Sequence, residues 1–272
     1  MTTPATKNHG EVYRDLWDRY KAQLAAHKTA CDAIADTENK LTGGAVFRLH
    51  NDFTENNIET CALEIFSRLI YLASITFAPS EQDTLNIDKE PFHEKFFQPM
   101  VENGTLEQLD PQALWEALSD HYSDGHGAQT AYQQYATQLR KFFSINRGEP
   151  IKTVAGRVVI DISVFLDPYD KANGRATLGF HTGKALAEGL QALASFCRWA
   201  EDQAAAEGLQ TYMLTLRGNR GAITSREHVT IAPSLDIVTY HSRFEFRFTK
   251  ELAYKFQLFI ANYAEPDESA AA

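Results

Sequence analysis

Arg243-Phe244-Glu245-Phe246-Arg247-Phe248 is the stretch whose reading decides the fold. Its strict alternation places three phenylalanines on one side of an extended chain and Arg243, Glu245 and Arg247 on the other, which is the period-2 pattern of a half-buried antiparallel strand. Thr249 follows as an N-cap for a closing helix to about Tyr263, with Ala253, Phe256, Phe259 and Ile260 inward. The tail from Pro266 is expected to be disordered. Upstream, Thr211 to Leu216, Val229 to Ile231 and Leu235 to Tyr240 read as further strands, with Arg217-Gly218-Asn219-Arg220-Gly221 as a basic loop between two of them. Gly183 to Glu207 reads as a helix burying Leu186, Leu190, Leu193, Phe196 and Cys197. Val154 to Phe165 reads as one buried strand, ended by the turn-rich loop Asp167 to Gly174.

The first half has a different texture. Residues 11–38 carry a long amphipathic helix stopped by Gly43-Gly44, and a second runs from about Glu55 to Ser74 with Thr54 as its cap. A short aromatic helix around Phe92, Phe96 and Phe97 ends at Pro99. Asp110-Pro111 is an N-cap with a first-turn proline, and Ala128 to Phe143 forms a further helix with Tyr132, Tyr135, Leu139, Phe142 and Phe143 inward. The composition shifts near residue 146. The chain is therefore expected to be α+β, with a mainly helical region 1–145, a mostly antiparallel sheet with packed helices over 146–265, and a tail 266–272. The two regions form either separate units or one continuous domain.

The whole chain has 272 residues, 44% hydrophobic and 23% charged, which excludes a collagen-like, disulfide-stapled or wholly disordered protein. No run approaches the ~18 apolar residues of a membrane span. Met1 is followed by no apolar leader, so a cytoplasmic location is expected. Cys31, Cys61 and Cys197 lie among apolar neighbours and are expected to be buried, reduced thiols. Charge is uneven: residues 1–139 hold 10 Lys and Arg against 21 Asp and Glu, and residues 140–272 hold 16 against 15. An acidic first half repels phosphate, whereas the second half can still present a basic face.

Phosphate-cradling Gly-x-Gly-x-x-Gly and Walker patterns are missing, as is a Gly-x-Ser-x-Gly nucleophile elbow. His121, Asp124 and His126 bring three potential metal ligands into six positions, or simply start a helix. Asp161, Asp167 and Asp170, with Lys171 or Lys184 beside them, are the residue types that hold Mg²⁺ for phosphodiester cleavage; Asp167 and Asp170 are equally natural turn residues. Arg140, Lys141, Arg147, Lys152 and Arg157 place five cations in eighteen residues, with Phe142 and Phe143 among them. Cations pair with phosphates and aromatics stack on unpaired bases, although the phase of Phe142 and Phe143 favours burial. Arg217, Arg220, Arg243 and Arg247 extend this basic set, and the expectation is that the cations beyond residue 140 gather on one exterior patch.

Phe142-Phe143-Ser-Ile-Asn-Arg-Gly-Glu-Pro-Ile-Lys152, running on through Gly156-Arg157 into an apolar strand, resembles the central signature of a plasmid- and prophage-borne bacterial domain of unknown function. Leu235 to Tyr263 resembles that family's ending. The resemblance covers roughly the second half of the chain. It implies a setting on mobile DNA, sometimes beside adenine-specific DNA methyltransferase domains, and supplies no catalytic residues. Three readings follow. One is a non-catalytic accessory protein of a plasmid, phage or genomic island that engages nucleic acid or a nucleic-acid-processing protein through its basic second half, with no cofactor and no membrane. The others are a metal-dependent nuclease built on the aspartates and an acidic decoy of a DNA-handling protein.

Overall fold

The computed structural model describes residues 8–42, 52–145, 152–167, 175–218 and 222–264. The chain is α+β, and it divides into two compact units, 1–128 and 129–272.

The first unit is helical among its described residues. Helices α1 (His9–Thr42) and α2 (Asp52–Thr76) both pack on α5 (Pro111–Tyr122), with the short α3 (Glu90–Phe96) and α4 (Gln98–Glu102) between. Trp17, Phe66, Leu69, Leu114 and Leu118 are buried, and the Phe77 ring stacks on Trp115 at 5.9 Å. The Asp110 carboxylate accepts from the backbone N–H groups of Gln112 and Ala113, so the expected cap and first-turn proline both start α5. Two expectations shift. Thr54 lies inside α2 rather than capping it, and Pro99 starts α4 instead of ending the aromatic helix, because its fixed φ and missing N–H suit a first turn.

The second unit is built on a five-stranded antiparallel sheet in the order β1-β2-β8-β7-β6: β1 (Lys152–Val154), β2 (Arg157–Ser163), β6 (His228–Ala232), β7 (Leu235–Thr239) and β8 (Arg243–Phe248). A smaller sheet holds β3 (Leu166–Asp167), β4 (Arg175–Leu178) and β5 (Ala222–Thr224). Strand β8 alternates as the sequence requires: Phe244, Phe246 and Phe248 are buried, while Arg243, Glu245 and Arg247 lie on the opposite face. The apolar face is covered by helices. Phe143, just past α6 (His126–Phe142), meets Phe246 edge-on at 5.1 Å, and Phe256 of α9 (Lys250–Tyr263) stacks on Phe248 at 5.8 Å. Phe196 of α7 (Phe180–Trp199) completes the cluster against Phe256 and Phe259. Thr249 caps α9 by accepting from the Leu252 N–H, as expected. These contacts place most of α6 in the second unit, so the division falls at residue 128, ahead of the compositional change at 146.

Two strand readings are corrected. Val154 to Phe165 is not one strand: Ala155 and Gly156 take positive φ (49° and 80°) and turn β1 back on β2, a two-residue hairpin in which the absent side chain of Gly156 relieves the strain. Thr211 to Leu216 lies in helix α8 (Gln203–Gly218). Its β-branched composition suggests a strand, but Leu209, Tyr212 and Met213 bury at helical spacing, and the hydroxyls of Thr211 and Thr215 bond back to the carbonyls of Glu207 and Thr211. A break at Glu201, with φ of 61°, separates α8 from α7, and Asp202 accepts from the Ala205 N–H to start it. The expected disordered tail lies outside the described residues.

Gly208 sits where α8 meets β6, and a Cβ there would lie 2.3 Å from the Ile231 carbonyl oxygen. Although Gly→Ala inside a helix usually gains about 1 kcal/mol, G208A is expected to destabilise the protein by roughly 1–3 kcal/mol because the backbone must move apart. Phe246→Ala, which empties the aromatic cluster, is expected to cost about 3–5 kcal/mol. Urea unfolding of both variants measures these effects.

Candidate functional site

Cross-strand register decides where the cations go. Lys152 pairs with Val159, Val159 with Arg247, and Arg247 with Asp236, so these residues share the face opposite the phenylalanines. By the same register Arg157, Asp161, Glu245, Arg243 and His228 join them. Four of the expected cations are thereby brought together, but each meets an acid. Lys152 Nζ lies 2.9 Å from Asp161, and Arg157 lies 3.4 Å from Asp236. Arg243 and Arg247 hold the two oxygens of Glu245 at 3.0 and 2.8 Å. Asp161 and Glu245 face each other directly in the ladder, an arrangement that repels unless each carboxylate is compensated, and these pairs supply the compensation. Arg157 also donates to the carbonyls of Pro233 and Arg247. This face is thus an ion-pair lattice in which Arg243 and Arg247 share Glu245, with Arg243 laid over the Tyr240 ring at 4.6 Å.

The remaining expected cations do not join that face. Arg140 and Lys141 end α6 in the helical layer, where Phe142 and Phe143 pack inward on Phe246. Those two aromatics, candidates for base stacking in the sequence, belong to the core. Arg217 stands in the last turn of α8, so Arg217-Gly218 closes a helix rather than joining two strands. Arg147 and Arg220 lie outside the described residues. A single exterior patch of cations is therefore not what the described residues form.

Arg217 lies in a different setting. The start of α7 and the end of α8 enclose a cleft of about 420 Å³, walled by Leu178, Phe180, Leu190, Met213 and Leu216 and bordered by Lys184 and Arg217. Phe180 is 82% exposed, Phe165 is 72% exposed, and Leu214, one turn before Arg217, is 67% exposed. The Gly179 N–H donates to the Phe165 carbonyl, and a Cβ at residue 179 would lie 3.6 Å from the Phe165 ring, so the two phenylalanines flank one glycine. Among the described residues Lys184 has one ion contact, 3.9 Å to Glu188 one turn along, with both side chains mostly in solvent. Such a pair neutralises little. Arg217 makes no ion pair among the described residues. Phe180 and Leu214 are thus large apolar side chains left in water on the helices that carry Lys184 and Arg217, and exposed apolar area beside charge is a surface feature found at binding sites.

Sequence reasoning missed Phe165 and Phe180 as candidates, and it weighed Lys184 only as a partner for the aspartates. A signal existed in helical phase: Phe180 falls off the stripe Leu186, Leu190, Leu193 and Cys197 that α7 buries.

The other candidate chemistry fares differently. Asp161 sits on the charged sheet face bound to Lys152, in a different sheet from Asp167; Asp167 is described in its backbone alone, and Asp170 and Lys171 lie outside the described residues. His121 packs edge-on to Phe92 and Tyr122, and His121, Asp124 and His126 do not converge; no group of three metal-ligating side chains forms among the described residues. Burial raises the pKa of the Cys197 thiol far above its ordinary value and also raises that of Cys61, with Glu64 adding to the latter. Cys31 and Cys61 are half-buried rather than buried, and the Cys31 sulfur lies 3.8 Å from His27 Nδ1 one turn away. No helix among the described residues is long and apolar enough to cross a membrane. No protein-family model matches the chain, and neither a curated protein nor a solved structure does.

The Glu245 lattice has a pH signature. Burial raises the Glu245 pKa, but hydrogen bonds from Arg247 and Arg243 outweigh it and hold the carboxyl below its ordinary value of 4.5. A folded-state pKa below the unfolded one stabilises the fold above the unfolded value, and that stabilisation is lost as pH falls through the folded value. Wild type is thus expected to be more stable than E245Q at neutral pH, with the gap closing in acid below 4.5; urea midpoints across that range measure it.

Proposed function

We propose that this chain is a non-catalytic accessory protein whose second unit engages nucleic acid, at the cleft between the start of α7 and the end of α8. One observation carries the reading: among the described residues Arg217, at the border of an apolar cleft, makes no ion pair and Lys184 beside it has a solvent-exposed one with Glu188, whereas the cations of the sheet face are each bound to a carboxylate. A phosphate approaching Lys152, Arg157 or Arg247 has to displace an existing partner, while one approaching Arg217 does not. Guanidinium and ammonium groups bind phosphate through charge-assisted hydrogen bonds. The first unit is rich in acids, which repel phosphate. The resemblance of residues 142–160 and 235–263 to a plasmid- and prophage-borne domain supports a setting on a bacterial mobile element.

Binding through phosphate contacts weakens as salt rises, with one unit of slope lost for roughly each contact removed. Fluorescence anisotropy with labelled DNA, single- and double-stranded, is expected to show binding at low salt that falls steeply on a log–log salt plot. R217Q and K184Q are each expected to reduce the slope by about 1, and K152Q to leave it unchanged. Absence of binding to either form at low salt overturns the proposal.

A further inference from the structure

The cleft has a shape and a lining that a phosphate alone does not explain. Its walls are apolar, its volume of about 420 Å³ lies in the range of sites that take a flat organic group, Gly179 and the exposed Phe180 line it, and the exposed Phe165 ring lies beside Gly179. We infer that this site takes single-stranded nucleic acid, with an unpaired base stacked on Phe180 or Phe165 and the adjoining phosphates on Arg217 and Lys184. The inference rests on the nucleic-acid reading above and narrows it to one class of strand.

The physical argument is one of exposure. In a duplex the base faces are already stacked and the phosphates lie outside, so a duplex gains the cations but not the rings or the apolar walls. An unpaired base offers a π-face of matching polarity, and stacking on an aromatic side chain is sequence-tolerant because every base has one. Two phenylalanines at 72% and 82% exposure hold apolar area in water that such a partner covers together with the charge. Phe142 and Phe143, the aromatics nearest the basic run in sequence, are committed to the core and are not available for this. Charge complementarity with Arg217 and Lys184 excludes a cationic or neutral apolar ligand as the better occupant.

The test is anisotropy with a labelled oligothymidylate of about 15 nucleotides and a duplex of equal length, at low salt, using the full chain and the variants F180A, F165A and R217Q. The expected result is tighter binding of the single strand than of the duplex. F180A or F165A is expected to weaken the single-strand affinity by about tenfold or more, with little change on the duplex and an unchanged salt slope. R217Q is expected to lower the slope on both. Both phenylalanines are mostly solvent-exposed, so their removal leaves folding intact, and far-ultraviolet circular dichroism checks this. Equal binding of the two forms with no effect of either Phe substitution overturns the stacking inference while leaving nucleic-acid binding in place. Failure to bind either form overturns both.

Discussion

The second unit depends on one interaction: the apolar side of β8 closing against the helices. Phe244, Phe246 and Phe248 project from one strand, and Phe143, Phe196, Phe256 and Phe259 reach them or one another from α6, α7 and α9. Each ring removes a large apolar area from water, worth about 1.5–3 kcal/mol, and the edge-on geometry adds a smaller electrostatic gain. Because β8 is the middle strand of five, fixing its face fixes the face of every neighbour through the ladder. A slip of one residue would drive Arg243, Glu245 and Arg247 into the aromatic cluster.

That constraint explains the chemistry of the outer face. Once the phenylalanines turn inward, alternation forces the charged residues of β8, β2 and β7 onto a common surface, where carboxylates and cations lie side by side. Asp161 and Glu245 would repel, and Lys152, Arg243 and Arg247 are placed to prevent it. The outer face therefore spends its positive charge on holding the sheet together. Where no strand register supplies an acid, positive charge is left without a partner among the described residues, and Arg217 at the end of α8 is such a place. The same helix pair that buries Leu190 and Met213 leaves Phe180 and Leu214 in water beside it. Among the described residues, the cations paired across the sheet face are thus set apart from Arg217 at the end of α8.

Much of the scaffold was legible from local signals. The alternation of residues 243–248, the Asp110-Pro111 start of α5 and the Thr249 cap all arise from interactions within a few residues, so they survive in the structure unchanged. Thr211 to Leu216 was misread because β-branched composition is a weak preference that burial overrides, and its true period emerges only with α7 packed alongside. The turn at Ala155-Gly156 was passed over because a single glycine in a β-branched run carries no sign of whether the chain reverses there. For the candidate site the sequence counted cations correctly but had no means of assigning them partners. Phe142 and Phe143 looked suited to stacking from their neighbours, and Phe165 and Phe180 did not.

The sequence by itself determined the α+β class, the closing strand and helix, and the excess of acids in the first half, because each depends on period, capping or composition along a short stretch. Tertiary structure alone decided which charges are neutralised and which aromatics face water. Asp161 and Lys152 are nine residues apart and Arg157 and Asp236 seventy-nine, yet both pairs are set by strand pairing. A charge is free or spent according to what lies within a few ångströms, and that distance is fixed by register and packing between segments remote in the chain.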